Sequence, residues 1–280
     1  MPELPEVETN RQGLAKKVQG KRIDYLHVYW PRIVSYPHGV SQFCQRLAGQ
    51  KIEELGRRGK YLLFYLSQGD VLVSHLRMEG KYFYYPASDL PGEKSKHTHL
   101  IISFSDRSQL HYHDVRKFGR FDLLSVEELK TYFEAKGLGP EPFADSFKIE
   151  AFQQKLSKSQ RAIKPFLLDQ KSVAGLGNIY ADEVLFRAGI HPERPGLSLS
   201  SDEVESLHAA ILEVIQAAIE AGGTTIRSYL NTLGEAGSFQ VDLKVYGRKG
   251  LPCPRCGHPI EKISLAQRGT HFCPQCQKKR

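Results

Sequence analysis

Long apolar runs are missing from this 280-residue sequence, in which every hydrophobic stretch is interrupted before the ~20 residues that a membrane-spanning helix needs. The first residues, MPELPEVETN, are acidic and lack the basic start and apolar middle of a secretory signal. Internal repeats and low-complexity tracts are also missing. We therefore expect a globular protein of the cytosol that does not span a membrane.

Cysteine is scarce, with five residues in the whole chain. Cys44 stands alone, whereas the other four lie between positions 253 and 276. In a reducing compartment this distribution argues against disulfides. Cys44 is predicted to be an unreactive thiol of the core, because free cysteines are commonly buried.

Basic residues outnumber acidic ones: the sequence has 39 Lys and Arg and 31 Asp and Glu. The net charge is +8 and the pI is near 9.1. The hydrophobic fraction of 40% is enough for a proper core, so disorder is not expected. A basic folded protein favours a polyanionic partner, either nucleic acid or an anionic membrane surface.

The N-terminal half combines one helix with many short strands. Prolines and glutamates in the first turn and an apolar face through Leu14 and Val18 predict a helix that ends at Gly20. From Arg22 to about Leu124, β-branched and aromatic runs separated by turn residues predict an antiparallel sandwich or barrel. The clearest predicted strands are Tyr61 to Leu66, Val71 to Leu76, Leu100 to Phe104 and Gln109 to Tyr112.

The C-terminal half is predicted to be helical. The stretch GLGPEP at 137–142 reads as an interdomain hinge, with the boundary near 136 to 148. A helix is predicted from Asp202 to Ala221, with a capping box of Ser200 and Glu203 and with Gly222 as its end. Residues 226–245 are predicted to form a long loop before a strand. The predicted domains are 1–136, the hinge 137–148, a helical domain 149–248 and a small C-terminal domain 249–280.

Two Cys-x-x-Cys pairs near the C-terminus give the strongest metal signal. Cys253 and Cys256 are followed, after sixteen residues, by Cys273 and Cys276, which is the spacing of a zinc ribbon. Four thiolates fill a tetrahedral site, so one structural Zn²⁺ is predicted and the nearby His258 and His271 are expected at the surface. The ribbon is rich in Lys and Arg, which favours contact with DNA.

Five segments together resemble the bacterial formamidopyrimidine-DNA glycosylases: MPELPEVET at the start, GRRGKYLL at 56–63, DVRKFG at 114–119, KPFLLDQKSVAGLGNIYADE at 164–183 and QRGTHFCPQC at 267–276. The resemblance runs nearly end to end. It implies an α+β fold of two domains, with an N-terminal helix and antiparallel β-sandwich followed by a helix-two-turns-helix domain with a zinc ribbon. It also implies a monomer that binds damaged double-stranded DNA in the cleft between the domains, in the region of the nucleoid.

The chemistry expected at the N-terminus depends on Pro2. Once Met1 is removed, its secondary amine can attack the deoxyribose C1′ and form an iminium that promotes strand cleavage. An α-amino group also has a reference pKa near 7.7 to 8.0, against about 10.4 for lysine, so more of it is unprotonated at neutral pH. Glu3 resembles the family's proton donor, while Glu6 either shares that role or only supports the helix dipole. Lys60 resembles the lysine assigned to elimination, and Arg57 and Arg58 are expected to be solvated.

Lesion recognition requires that the damaged base leave the helix and that side chains fill the gap. The resemblance assigns this filling to Met78, Arg116 and Phe118, although Met78 and Phe118 could instead be core residues. Asn178, at a helix start after two glycines, is the best candidate for a phosphate contact. Weaker candidates for DNA binding are His75, His97, Lys164 and Tyr246, and Arg268 on the ribbon is expected to reach phosphates near the lesion.

Three alternatives remain open at this level. His97, His99, His111 and His113 alternate along two predicted strands and could bind a metal. The activity could be that of the sibling glycosylase for oxidised pyrimidines, or the chain could be a non-catalytic zinc-ribbon DNA-binding protein.

Base choice is expected to lie in the loop of Thr224, Thr225, Ile226, Arg227, Ser228 and Tyr229, whose backbone amides could read the lesion's carbonyl.

Overall fold

The computed structural model describes residues 1–224 and 238–279. Contacts divide the chain into two compact units, each described by itself. The first comprises Met1–Lys136 and resumes at Gly222, and the second comprises Gly137–Ala221 and resumes at Ser238. The hinge and the domain ranges proposed from the sequence remain predictions.

The predicted N-terminal helix is present as α1 (Leu4–Val18). Glu3 caps it, Pro5 lies in its first turn, and its buried face includes Leu14 and Val18. The helix stops where Gly20 adopts a φ of +84°, a left-handed conformation that glycine adopts without a steric penalty.

Two sheets form the body of the first unit. The strands are β1 (Ile23–Val28), β2 (Val34–Tyr36), β3 (Ile52–Arg58), β4 (Tyr61–Leu66), β5 (Asp70–His75), β6 (Lys81–Tyr85), β7 (Thr98–Phe104), β8 (Gln109–His113) and β9 (Arg120–Ser125), and the helices are α1, α2 (Val40–Leu47) and α3 (Val126–Ala135). The strand orders of the two sheets are β2-β9-β5-β4-β3 and β1-β7-β8-β6. Buried residues from both sheets, from α1 and from α2 form one hydrophobic cluster, which makes the unit a sandwich around a single core.

The strand predictions hold, but the sheet is not purely antiparallel. β4 has the predicted bounds, and β5, β7 and β8 agree with their predicted bounds to within two residues. β2, however, pairs with β9 in parallel. Helix α2 also interrupts the region expected to contain only strands. Cys44 lies on α2, half-buried against the core, and burial raises the pKa of its thiol, as expected for an unreactive cysteine.

The second unit is mainly helical. Its helices are α4 (Ile149–Leu156), α5 (Ile163–Leu168), α6 (Asn178–Ala188) and α7 (Ser201–Glu220), and its hairpin strands are β10 (Glu261–Leu265) and β11 (Arg268–Phe272). The predicted capping box of α7 is present, because Ser200 Oγ accepts from Glu203 N at 3.3 Å and Glu203 Oε2 accepts from Ser200 N at 2.9 Å.

The strand predicted to follow the loop over 226–245 is β10, which begins at Glu261. Within the described residues, a 3₁₀ turn at Phe239–Val241 follows α7, and the next strand is β10. None of the described helices is both long and apolar enough to cross a membrane.

Candidate functional site

Three of the predicted catalytic residues, Pro2, Glu3 and Glu6, lie at the N-terminal end of α1. Pro2 is buried and Glu3 is only 3% exposed. Glu6 Oε2 accepts a hydrogen bond from Glu3 N at 2.8 Å, and Glu3 O accepts one from Val7 N at 3.0 Å. Carboxylates here face the positive end of the helix dipole. The peptide that follows Pro2 is therefore held in place by the first turn of the helix.

Lys60 is the second residue of the two-residue turn between β3 and β4, in which Gly59 has a φ of +57°. Its side chain is largely buried. Arg57 Nε donates to Glu8 Oε2 at 3.0 Å and Arg57 Nη1 donates to Gly59 O at 3.1 Å, so Arg57 fastens this turn to α1. The prediction that Arg57 and Arg58 are solvated is wrong: the Arg57 side chain is 14% exposed and Arg58 is half-buried.

His75, at the end of β5, pairs across the sheet with Tyr61 and packs edge-on against its ring at 4.5 Å. Its Nδ1 accepts from Arg77 N at 2.9 Å, which assigns the proton of the neutral ring to Nε2. Burial, reinforced by the charges of Arg77 and Lys60, lowers the pKa of His75 to about 3. His75 can thus offer a phosphate one neutral N–H donor.

The loop over 114–119 is built around the carboxylate of Asp114, which is 1% exposed. Its Oδ1 accepts from Arg116 N at 3.0 Å. Its Oδ2 accepts from Phe118 N at 2.8 Å and from Gly119 N at 2.7 Å. Its backbone N donates to the carbonyl of the half-buried His97 at 3.0 Å. Sequence reasoning missed Asp114, although its place in the DVRKFG motif was a signal.

This loop presents Arg116 and Phe118 to solvent. The guanidinium of Arg116 lies 4.7 Å from the centre of the Phe118 ring, and Phe118 is 45% exposed, so its assignment to the core is wrong. Met78 is half-buried. A side chain at position 119 would clash with the protein, because a Cβ there would lie 1.8 Å from Tyr112 Oη. The exposed pair has the cation and aromatic ring expected of a wedge between bases.

Thr224 is the one residue of the predicted recognition loop that the structure describes. Its N and Oγ1 both donate to Glu6 Oε1, at 2.8 Å and 3.0 Å. Gly223, with a φ of +77°, lies so close that a Cβ would be 2.9 Å from Glu6 Oε1. The other residues of the predicted loop lie outside the described residues: Thr225, Ile226, Arg227, Ser228 and Tyr229.

In the second unit, Gln170 shapes the loop that leads into α6. Its Oε1 accepts from Gly175 N at 2.9 Å, and its Nε2 donates to Leu176 O at 2.8 Å. Asn178 then opens the helix, and its Nδ2 donates to Gly269 O at 3.0 Å. One N–H of the Asn178 amide is thus used within the protein. Sequence reasoning missed Gln170.

Lys164, predicted to bind DNA, is completely buried. Its Nζ lies 2.7 Å from Asp182 Oδ1 in an ion pair, and its hydrogen bonds go to Gly269 O at 3.0 Å and Thr270 Oγ1 at 2.8 Å. Asp182 Oδ2 also accepts from His271 N at 2.8 Å. This burial does not fit a direct phosphate contact, and it supports a role in bracing the hairpin. The expectation that His271 is a surface residue is wrong.

Arg268 begins β11 after a two-residue hairpin turn. Ala266 and Gln267 have φ values of +48° and +61°, as a type I′ turn requires. Arg268 is exposed. Tyr246, the other candidate here, is half-buried, donates its backbone N–H to Glu183 Oε1 at 2.8 Å and packs edge-on against His271.

The four cysteines of the second unit converge as predicted. Their Sγ atoms all lie within 4.8 Å of one another, with Cys253–Cys276 at 3.9 Å and Cys256–Cys273 at 3.5 Å. Tetrahedral zinc with bonds near 2.3 Å places its sulfurs about 3.8 Å apart, so the residues fit a single structural zinc ion. His258 is exposed, as expected.

The strand histidines do not form a second metal site. Within the described ranges, the cysteines are the one group of potential ligands close enough to share an ion. His99 Nε2 contacts Asp114 O at 2.8 Å, and His113 Nε2 contacts Thr98 Oγ1 at 2.8 Å. Burial lowers the pKa of His111 to about 4, and burial together with neighbouring histidines lowers that of His113 to about 4.

A helix-headed β-sandwich and a helical unit that ends in a four-cysteine zinc site are the two parts expected of a bifunctional DNA glycosylase. Family models agree over most of the chain: "Formamidopyrimidine-DNA glycosylase N-terminal domain" matches residues 1–121, "Formamidopyrimidine-DNA glycosylase H2TH domain" matches 138–229 and "Zinc finger found in FPG and IleRS" matches 250–279. The chain belongs to the formamidopyrimidine-DNA glycosylase family.

Individual relatives support this assignment. The formamidopyrimidine-DNA glycosylase of Enterococcus faecalis is 58% identical over 99% of this chain and 98% of its own length. Two crystal structures of the Lactococcus lactis enzyme, one with DNA containing Fapy-dG and one with DNA containing an oxidised pyrimidine, each show 46% identity and a TM-score of 0.92. Each alignment covers 99% of this chain and 100% of the solved chain.

Proposed function

We propose that this protein removes oxidised purines, such as 8-oxoguanine and formamidopyrimidines, from duplex DNA and then cleaves the strand at the abasic site. The observation that carries the proposal is the buried Pro2-Glu3 start of α1 in a chain of this family. The Lactococcus relative that binds Fapy-dG supports the substrate class. We also propose that the protein acts as a monomer on chromosomal DNA, at the nucleoid of the bacterial cytoplasm.

In the first step, after Met1 has been removed, the Pro2 nitrogen attacks C1′ of the extruded nucleotide. The bond between C1′ and the base breaks, and Glu3 donates the proton that the leaving base or the opening sugar ring requires. The C1′–O4′ bond then opens and the nitrogen releases its N–H proton, so that a cationic iminium joins Pro2 to C1′. This proton and the one from Glu3 are the two that the base and O4′ take up. Lys60 and His75 supply donors for the flanking phosphates.

In the second step, the iminium acts as an electron sink for strand cleavage. Loss of a C2′ proton allows the C3′–O bond to break by β-elimination, and a δ-elimination can then break the C5′–O bond. Lys60 assists this elimination. Hydrolysis of the Schiff base regenerates the Pro2 amine. Asn178 and Arg268 bind phosphates, while Met78, Arg116 and Phe118 occupy the gap left by the base.

Borohydride trapping tests this chemistry, because reduction of the iminium joins protein and DNA covalently. Protein shown by mass spectrometry to lack Met1 is expected to form an adduct with an 8-oxoguanine duplex, and Pro2→Gly is expected to lose it. A protein that retains Met1 yet cuts damaged duplexes at full speed would refute the nucleophile. A non-catalytic DNA-binding protein would give no adduct with the 8-oxoguanine duplex.

Oxidised pyrimidines are a second candidate substrate class, favoured by the Lactococcus complex with such a lesion. Parallel excision assays on duplexes that differ only in the lesion separate the two classes. We expect faster excision of 8-oxoguanine, and faster excision of the oxidised pyrimidine would reassign the substrate.

A further inference from the structure

Glu6 holds together two parts of the first unit that are far apart in sequence. Its Oε2 accepts from Glu3 N at 2.8 Å, the peptide N–H next to Pro2. Its Oε1 accepts from Thr224 N at 2.8 Å and from Thr224 Oγ1 at 3.0 Å. Glu6 is 3% exposed and Thr224 is 4% exposed. The carboxylate therefore joins the peptide after the nucleophile to the start of the predicted recognition loop.

This bonding pattern decides between the two roles considered for Glu6. An ionised carboxylate offers about four lone-pair positions, and three of them receive N–H or O–H donors here. A group whose oxygens are occupied in this way is poorly suited to shuttle protons to a sugar. Support of the helix dipole explains the bond to Glu3 N but not the two bonds to Thr224.

The contact of Gly223 with Glu6 shows that the junction is closely packed. A Cβ on Gly223 would lie 2.9 Å from Glu6 Oε1 and 3.0 Å from Glu6 Cγ, and the residue has a φ of +77°. Any side chain at position 223 would displace the carboxylate or the backbone. The backbone of residues 223–224 is thus closely packed against the Glu6 carboxylate.

We propose that Glu6 is a positioning residue for base excision, acting through Thr224 on the lesion and through the Glu3 peptide on the nucleophile. The inference rests on the proposed function. If it is correct, the Glu6–Thr224 contact serves the step in which a damaged base is present. Elimination at a preformed abasic site, where no base has to be recognised, does not require this contact.

The test measures single-turnover excision on an 8-oxoguanine duplex and elimination on the same duplex with a preformed abasic site. Thr224→Val removes the hydroxyl donor at nearly constant shape and is expected to slow excision roughly 10-fold, with elimination within about 2-fold of wild type. Thr224→Ser keeps the hydroxyl and restores excision. Glu6→Gln slows excision at least as much, and the Glu6→Gln/Thr224→Val double variant is no slower than Glu6→Gln alone.

Glu128→Gln is the matched control, because Glu128 Oε2 accepts from Ser125 N at 2.8 Å in the capping box of α3 and has no counterpart of Thr224 in that box. This control is expected to retain both activities. Multiplicative effects in the double variant, or normal excision by Thr224→Val, would overturn the positioning role. If Glu6→Gln fails to fold, as judged by Trp30 fluorescence, comparison of Thr224→Val with Thr224→Ser still tests the positioning role. Wild-type protein without excision or a trapped adduct would refute the proposed function instead.

Discussion

Asp182→Asn is expected to destabilise the second unit strongly while leaving the first unchanged. The Lys164–Asp182 ion pair has both side chains fully buried, at 2.7 Å, so loss of the carboxylate charge leaves a buried ammonium without its counter-ion. Removing one partner of such a pair costs about 3–5 kcal/mol. Asn at 182 can still accept from His271 N, but its NH2 group then faces the Lys164 ammonium, so a contact between two donors adds to the loss of the counter-ion.

Urea titration of the zinc-loaded protein measures this effect. Zinc release to a chromogenic chelator follows the second unit, and fluorescence of Trp30, the single tryptophan, follows the first. Asp182→Asn should lower the urea midpoint of zinc release and not that of Trp30. Glu213→Gln is the control, since it breaks the exposed Arg187–Glu213 pair, with side chains 56% and 54% exposed, and should cost no more than about 1 kcal/mol.

The double variant Lys164→Met/Asp182→Asn provides the decisive comparison. Removing both charges eliminates the unpaired buried ammonium, which is the main source of the loss expected in the single variant. We therefore expect the double variant to recover at least half of the stability lost in Asp182→Asn. A double variant less stable than the single one, or a single variant no worse than Glu213→Gln, would refute the reasoning.

Zinc removal by a chelator should abolish duplex binding, measured by fluorescence anisotropy, and leave Trp30-monitored unfolding unchanged; intact binding would contradict a structural role for the metal. Phe118→Ala should slow lesion excision at least ~10-fold by loss of the wedge, with elimination at a single-stranded abasic site as the unaffected control. The first unit should also lose stability as the pH falls. Because the pKa of His75 drops from 6.5 to about 3 on folding, the unfolded chain binds more protons in this window. Trp30-monitored Tm should decline below pH 6.5, and less steeply in His75→Gln; equal slopes would exclude His75 as the cause.

Local patterns allowed much of the fold to be predicted from the sequence. The bounds of β4 and the helices α1 and α7 follow from apolar periodicity and from capping residues. Helix α2 was missed because its eight residues bury only Phe43 and Leu47, too few to establish a helical period. The parallel pairing of β2 with β9 joins residues more than 80 positions apart, and no local pattern specifies it.

In the candidate site, too, features set by local spacing were predicted and features set by distant contacts were missed. The cysteine spacing identified the metal ligands because each pair is local, whereas the motif DVRKFG did not reveal which of its members are structural. Asp114 binds three backbone amides, and only the three-dimensional contacts separate it from the exposed Phe118. Lys164 resembled a DNA ligand for the same reason, since its partner Asp182 is visible only after folding.

The return of the chain to the first unit at Gly222 means that the catalytic portion is not a continuous piece of the polypeptide. A fragment ending at Lys136 would retain Pro2, Glu3 and Lys60. In that fragment the Glu6 carboxylate would lose both hydrogen bonds that Thr224 donates to it. Evolution cannot exchange this portion between genes by a single end-to-end fusion, and neither can protein engineering. The sandwich and the stretch near residue 224 have to be inherited together.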